Sequence, residues 1–93
     1  MIRIFNCDEI EYNTWLKCNE SGFIFNNFGG RAPSYNIIHK ASCWTLRRKK
    51  DEDSRTKIEK VCSEDLTELV NEATKIRESE SGWSKCKFCF PTL

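Results

Sequence analysis

Long apolar runs are missing from this chain, and so is any histidine to spare. No segment approaches the roughly 20 consecutive apolar residues that a helical membrane span needs, which leads us to expect a soluble protein with no membrane partner. The start, Met1-Ile2-Arg3-Ile4-Phe5-Asn6, has no apolar stretch of signal-peptide length and turns acidic at Asp8 and Glu9. The expected compartment is therefore the reducing cytoplasm. There is no internal repeat and no low-complexity tract. No nucleophile motif of the G-x-S-x-G kind occurs, and the single histidine, His39, is committed below to another task. We therefore expect no catalytic residues, no small-molecule substrate and no enzyme. A dominant charge is absent too: 15 Lys and Arg stand against 14 Asp and Glu, a formal net charge of +1. That excludes the uniformly basic character of many nucleic-acid binders.

What is present is cysteine, six in 93 residues. A chain of this length makes one small domain, and with 39% hydrophobic residues its core is modest, so a staple has a physical use. In a reducing compartment, spaced cysteines serve as ligands more readily than as bridges. His39-Lys40-Ala41-Ser42-Cys43 and, after 42 intervening residues, Cys86-Lys87-Phe88-Cys89 offer one imidazole and three thiolates. These are the ligand types that a tetrahedral Zn²⁺ takes, and His39, Cys43, Cys86 and Cys89 are the expected metal ligands. Each short motif holds only one edge of an ion, so the metal must tie the middle of the chain to its far end. Redox use of C-x-x-C places the first cysteine at a helix N-terminus, for which the four residues after Cys89 leave little room; iron with sulfur ligands remains a rival for the metal.

The elements follow from periodicity. Residues 2 to 5 suit an opening strand, and Asp8 with Glu11 has the spacing of a capping box for a helix reaching about Cys18, with Tyr12, Trp15 and Leu16 inward. Residues 23 to 25 and 35 to 39 read as strands around a loop with paired glycines, and 57 to 62 as a further strand. Residues 47 to 55, charged nearly throughout, read as a solvated loop. Ser63 is the expected cap of a second helix whose stripe is Leu66, Leu69, Val70, Ala73 and Ile76, with Gly82 just beyond its end. Cys18 and Cys62 are expected to fill core space. The whole predicts an α+β domain: a small zinc-stapled unit spanning residues 1 to 93, with a short antiparallel sheet and two helices, its metal-binding part covering about 35 to 91.

Charge is unevenly spread. Residues 31 to 60 carry nine Lys and Arg against four Asp and Glu, a surplus of +5, while the segments on either side are each two acidic charges in excess. Arg31, then Trp44 with Arg47, Arg48, Lys49 and Lys50, then Trp83 with Lys85 and Lys87, put cations beside aromatic rings. Such groups can neutralise phosphates and stack on bases. They are the candidate nucleic-acid-binding residues, although the tryptophans could equally pack around the metal.

At His39-x3-Cys43 and at Gly82-Trp83-x2-Cys86-x2-Cys89-x-Pro91, the sequence resembles the metal-binding domain of the Ada DNA-repair methyltransferases. The front segment, Tyr12-x2-Trp15-Leu16 and then Gly22-Phe23-Ile24-Phe25-Asn26, is similar to bacterial zinc modules appended to nucleases and other DNA-acting proteins. The resemblance implies a zinc-organised, DNA-associated module with His39, Cys43, Cys86 and Cys89 on the metal. In the Ada type the first of these ligands is the cysteine that accepts a methyl group, and here it is His39, so thiolate alkylation at that position is impossible. The function expected is a non-catalytic DNA-binding or DNA-sensing module, in the setting of a nuclease or defence protein; the alternative is a protein-interaction adaptor with a purely structural zinc.

Overall fold

Strand alternation sorts the core into two halves. The computed structural model describes residues 1 to 30 and 32 to 90. In β1 (Arg3–Phe5), β2 (Phe23–Asn27), β3 (Ile37–Lys40) and β4 (Glu59–Ser63), successive side chains fall on opposite faces of one sheet. Phe25, Ile38 and Val61 enter one hydrophobic cluster, and Phe5, Ile24 and Cys62 enter the other. β2 lies centrally, antiparallel to both β3 and β4, and β1 is antiparallel to β4. A last short strand, β5 (Ser84–Lys85), joins β3 in parallel, giving the order β1-β4-β2-β3-β5.

The domain is α+β with two helices, as expected, but its sheet is mixed. The reason is topological. β3 and β4 run the same way because both oppose β2, and a strand returning from β4 through a crossover helix arrives parallel to both.

That crossover helix, α2 (Leu66–Arg77), presents the expected stripe: Leu69 and Ala73 are buried, and Leu66, Val70 and Ile76 are packed against the same cluster. Its cap differs from expectation. Asp65, not Ser63, accepts from the Glu68 amide at 3.2 Å, while Ser63 accepts from the Asp65 amide and donates to Glu68 Oε1 at 2.6 Å. At the other end Glu78, with φ of 56°, takes the left-handed position that Gly82 was expected to serve. Gly82 is instead needed for close approach, since a Cβ there would lie 2.7 Å from Arg77 Cβ.

The first helix, α1 (Glu9–Cys18), covers the opposite face with Tyr12, Trp15 and Leu16 buried, as periodicity predicted. Its N-terminus corrects one expectation: Asp8 makes no side-chain cap, and Thr56, the residue just after the charged and largely exposed segment 47 to 55, supplies the fastening in its place. That segment is a chain of short 3-10 turns at Trp44–Arg47, Lys49–Asp51 and Arg55–Lys57. The buried Thr56 at its end accepts from the Asp8 amide through Oγ1 and donates to Glu9 Oε1 from its amide. Cys7 N also donates to Thr56 O. Charged residues here shield a polar anchor that no local pattern announces. Cys18 is exposed at the end of α1, contrary to its expected core role, whereas Cys62 is fully buried and its thiol is pushed up to about 12 by desolvation.

Between β2 and β3, Gly29 and Gly30 adopt φ of 92° and 70°, which admits the hairpin's reversal. The buried Asn36 side chain accepts from the Gly29 amide and donates to Gly29 O and Ala32 O, fixing that reversal. No helix among the described residues is long and apolar enough to cross a membrane.

Candidate metal centre and its cleft

β3 and β5 bring the two halves of the ligand pattern together. Ile37 and His39 share a face of β3, so His39 leaves the strand on the α1 side, where it is buried. The chain then turns tightly, with Cys43 N donating to Lys40 O at 2.9 Å and Ala41 N to Gly22 O at 2.9 Å. Alongside, Cys86 N donates to Ile38 O at 2.9 Å, continuing the parallel pairing past β5. Phe90 N then donates to Cys86 O, wrapping the C-x-x-C into a turn. The strand ladder is thus what sets Cys86 beside His39 and Cys43.

The ligand atoms of His39, Cys43, Cys86 and Cys89 all lie within 4.8 Å of one another. Cys43 Sγ is 3.8 Å from Cys86 Sγ, and Cys89 Sγ is 3.9 Å from His39 Nδ1. Four soft or borderline donors so gathered can hold a metal ion. The ring nitrogen nearest the cysteines is Nδ1, and Asn26 Nδ2 lies 3.1 Å from Nε2 on the far side of the ring. Burial, with the charges of Lys60 and Arg48, lowers the His39 pKa to about 4, so the ring is neutral and able to ligate at neutral pH. Desolvation opposes ionisation of Cys43, but hydrogen bonds from Cys89 and Thr45 outweigh it and leave that thiol below its usual value; desolvation raises Cys89.

Behind the ligands the same face turns polar. Asn26 on β2 stands opposite Lys60 on β4 and diagonal to His39 on β3, and Lys60 Nζ donates to Asn26 Oδ1. Lys60 is 6% exposed, and desolvation lowers its pKa to about 8. It forms part of the floor of a cleft of about 540 Å³ that opens between the sheet and the 3-10 segment and reaches the metal cluster.

The candidate nucleic-acid residues separate into groups. Trp44 is 57% exposed and meets Phe88, 65% exposed, edge to face at 5.3 Å between centroids. Each ring follows or precedes a ligand cysteine, so folding of the centre makes the pair. Arg48 lies over the Trp44 ring at 5.1 Å. Lys49, Lys50 and Lys87 are exposed. Arg47, by contrast, donates to Ala41 O at 2.6 Å and to Cys43 O at 3.3 Å, bracing the ligand loop. Lys85 lies over Phe90 at 5.5 Å. Trp83 does not join the group: it packs half-buried among the α2 cluster, and its Nε1 donates to Thr74 Oγ1 at 3.0 Å. Arg31 lies outside the described residues.

Sequence reasoning missed Lys60, Asn26 and the Phe88 pairing with Trp44. The alternation of β4 held one signal, since Lys60 occupies the same inward side as Cys62. No family model, curated protein or solved structure matches this chain.

Proposed function

We propose that this is a zinc-organised nucleic-acid-binding module that takes DNA in unstacked or single-stranded form. The observation that carries the reading is the exposed Trp44–Phe88 pair, built on one residue from each half of the metal centre and flanked by Arg48 and Lys87. Aromatic faces stack on any base, and cations beside them neutralise the backbone, which gives affinity without sequence reading. The Ada-type motif likeness points the same way. The Cys43–Cys86 separation fits a tetrahedral ion, since metal–sulfur bonds of about 2.3 Å set sulfurs about 3.8 Å apart, and zinc is favoured because one histidine with three cysteines is a common structural zinc set. With four protein ligands no coordination position is left for an activated water, so the metal's part is structural and the module non-catalytic.

The test is binding of zinc-loaded protein to single-stranded and duplex DNA across a salt series starting near 50 mM, where phosphate-driven binding is still strong. Trp44→Ala should cost single-strand affinity by roughly 1 to 3 kcal/mol. Replacing Arg48, Lys49, Lys50 and Lys87 together by Ala should weaken binding and flatten its salt slope. Zinc content should be unchanged in both. The same exposed aromatic pair would suit an apolar protein partner; absence of any shift with DNA or RNA at that salt would replace this reading with the adaptor.

A further inference from the structure

We infer that the cleft beside the metal centre is a binding site for one nucleoside monophosphate unit, with its phosphate on Lys60. The inference rests on the nucleic-acid reading for its choice of ligand; the cleft shares Phe88, Arg48 and Lys87 with the exposed surface, and Lys60 and Arg55 are its own evidence.

Lys60 is an ammonium buried in the sheet. Holding an ammonium away from water costs several kcal/mol unless a partner compensates, and no carboxylate among the described residues pairs with Lys60. Its three donors find one acceptor there, Asn26 Oδ1. An apolar residue would suit the position better if stability were all that mattered, since β4 elsewhere buries Val61 and Cys62. An anion entering the cleft would supply the missing acceptors and the missing charge.

The rest of the cleft suits such an anion. Arg48, Arg55 and Lys87 line it with Lys60, against the single carboxylate of Asp51. Arg55 Nε is buried without a hydrogen-bond partner, a second donor in want of an acceptor. Lys85 also borders the cleft, but its amine is turned over Phe90. Elsewhere the wall sets apolar Ile37, Leu46, Ile58 and Phe88 beside serine and threonine hydroxyls. A bare phosphate would satisfy the floor and leave that wall wet, whereas a ligand with a flat organic body fills both. At about 540 Å³ the cleft is within the range of sites for small organic ligands. A free nucleotide and one nucleotide of a strand share this chemistry.

Titration calorimetry on the zinc-loaded full chain separates the outcomes, using deoxyadenosine 5′-monophosphate, deoxyadenosine, inorganic phosphate and a short oligodeoxythymidine. The monophosphate should bind at least about tenfold more tightly than the nucleoside or the inorganic ion. Lys60→Met should lose at least about tenfold in monophosphate affinity while keeping its fold and metal. Arg55→Gln should lose less, and it guards against a Lys60 variant that fails to fold. If the strand enters the cleft, Lys60→Met weakens oligonucleotide binding as well; if only the free nucleotide does, that binding is untouched. No heat with the monophosphate at about 10 mM, or equal affinity in wild type and Lys60→Met, overturns the inference. So does a Lys60→Met protein whose only defect is weaker metal binding, which would make Lys60 merely a prop for Asn26 and His39. Oligonucleotide binding that depends on Trp44 without monophosphate binding removes the cleft site alone, and the reverse pattern removes the proposed surface alone.

Discussion

The two faces of the sheet are built from the same strands and held by different physics. Toward α2, Phe25, Ile38 and Val61 meet Leu69 and Ala73 in a dry cluster, and apolar burial suffices to hold it. Toward α1 the positions beside these are Asn26, His39, Lys60 and Cys62, and the covering layer beyond the helix is a run of 3-10 turns. That half has an apolar cluster of its own around Phe5, Tyr12, Trp15, Leu16 and Ile24, and to it are added side-chain hydrogen bonds, Thr56 clasping the start of α1, and whatever metal the four ligands take. A sheet can thus carry an ordinary core on one side and, on the other, a core that gives way to a polar site at one end.

The sharpest break in this comparison is removal of a ligand. Cys86→Ser leaves a three-ligand centre, and we expect a loss of several kcal/mol, because metal-binding energy in small domains is largely folding energy. β5 and the turn after it should open, along with the Trp44–Phe88 pair, while the α2 cluster stays closed. Amide hydrogen exchange with and without chelator reads this directly. Protection at Cys86 and Phe90 that is indifferent to chelator would show that the two faces do not differ in the way described.

The converse experiment is Leu69→Ala, which cuts a fully buried side chain on the dry face. About 3 kcal/mol of global stability should disappear, with metal stoichiometry in the folded fraction unchanged. Denaturant unfolding and metal analysis on one sample check both halves.

Lys60 sharpens the comparison further. Its folded pKa, lowered to about 8, is below the unfolded value, so between about pH 8 and 10 the unfolded chain holds more protons than the folded one. Stability attributable to this residue must therefore rise with pH across that window and be lowest beneath it. Lys60→Met should be more stable than wild type at pH 7 by up to the order of 3 kcal/mol, and the difference should shrink as pH rises to 10. Thermal melts of both metal-loaded proteins at pH 7, 8.5 and 10 give the answer; a constant gap would mean that burial of the charge costs nothing.

The smallest effect expected is local. Asp65→Ala removes the α2 cap and should cost about 1 kcal/mol, with no change at the metal centre, as melts and metal analysis would show. A displaced metal affinity would mean that the two faces communicate through β4.

By itself the sequence determined what periodicity and ligand chemistry can carry. The stripes of α1 and α2, the strands and the gathering of His39 with three cysteines are legible because each needs only a spacing and a residue type. Tertiary structure alone decided the parallel edge strand, since a crossover's direction depends on where β4 stands in the sheet. It also decided that Thr56 fastens the start of α1 from 48 residues away, a bond between segments with no shared local signal. The fates of Trp83 and Trp44 make the same point. Both are tryptophans one to three residues from a ligand cysteine, yet one is packed under α2 and the other stands in the open. Which side of a strand or turn a residue occupies is fixed by the pairing register, and register is a property of the assembled sheet.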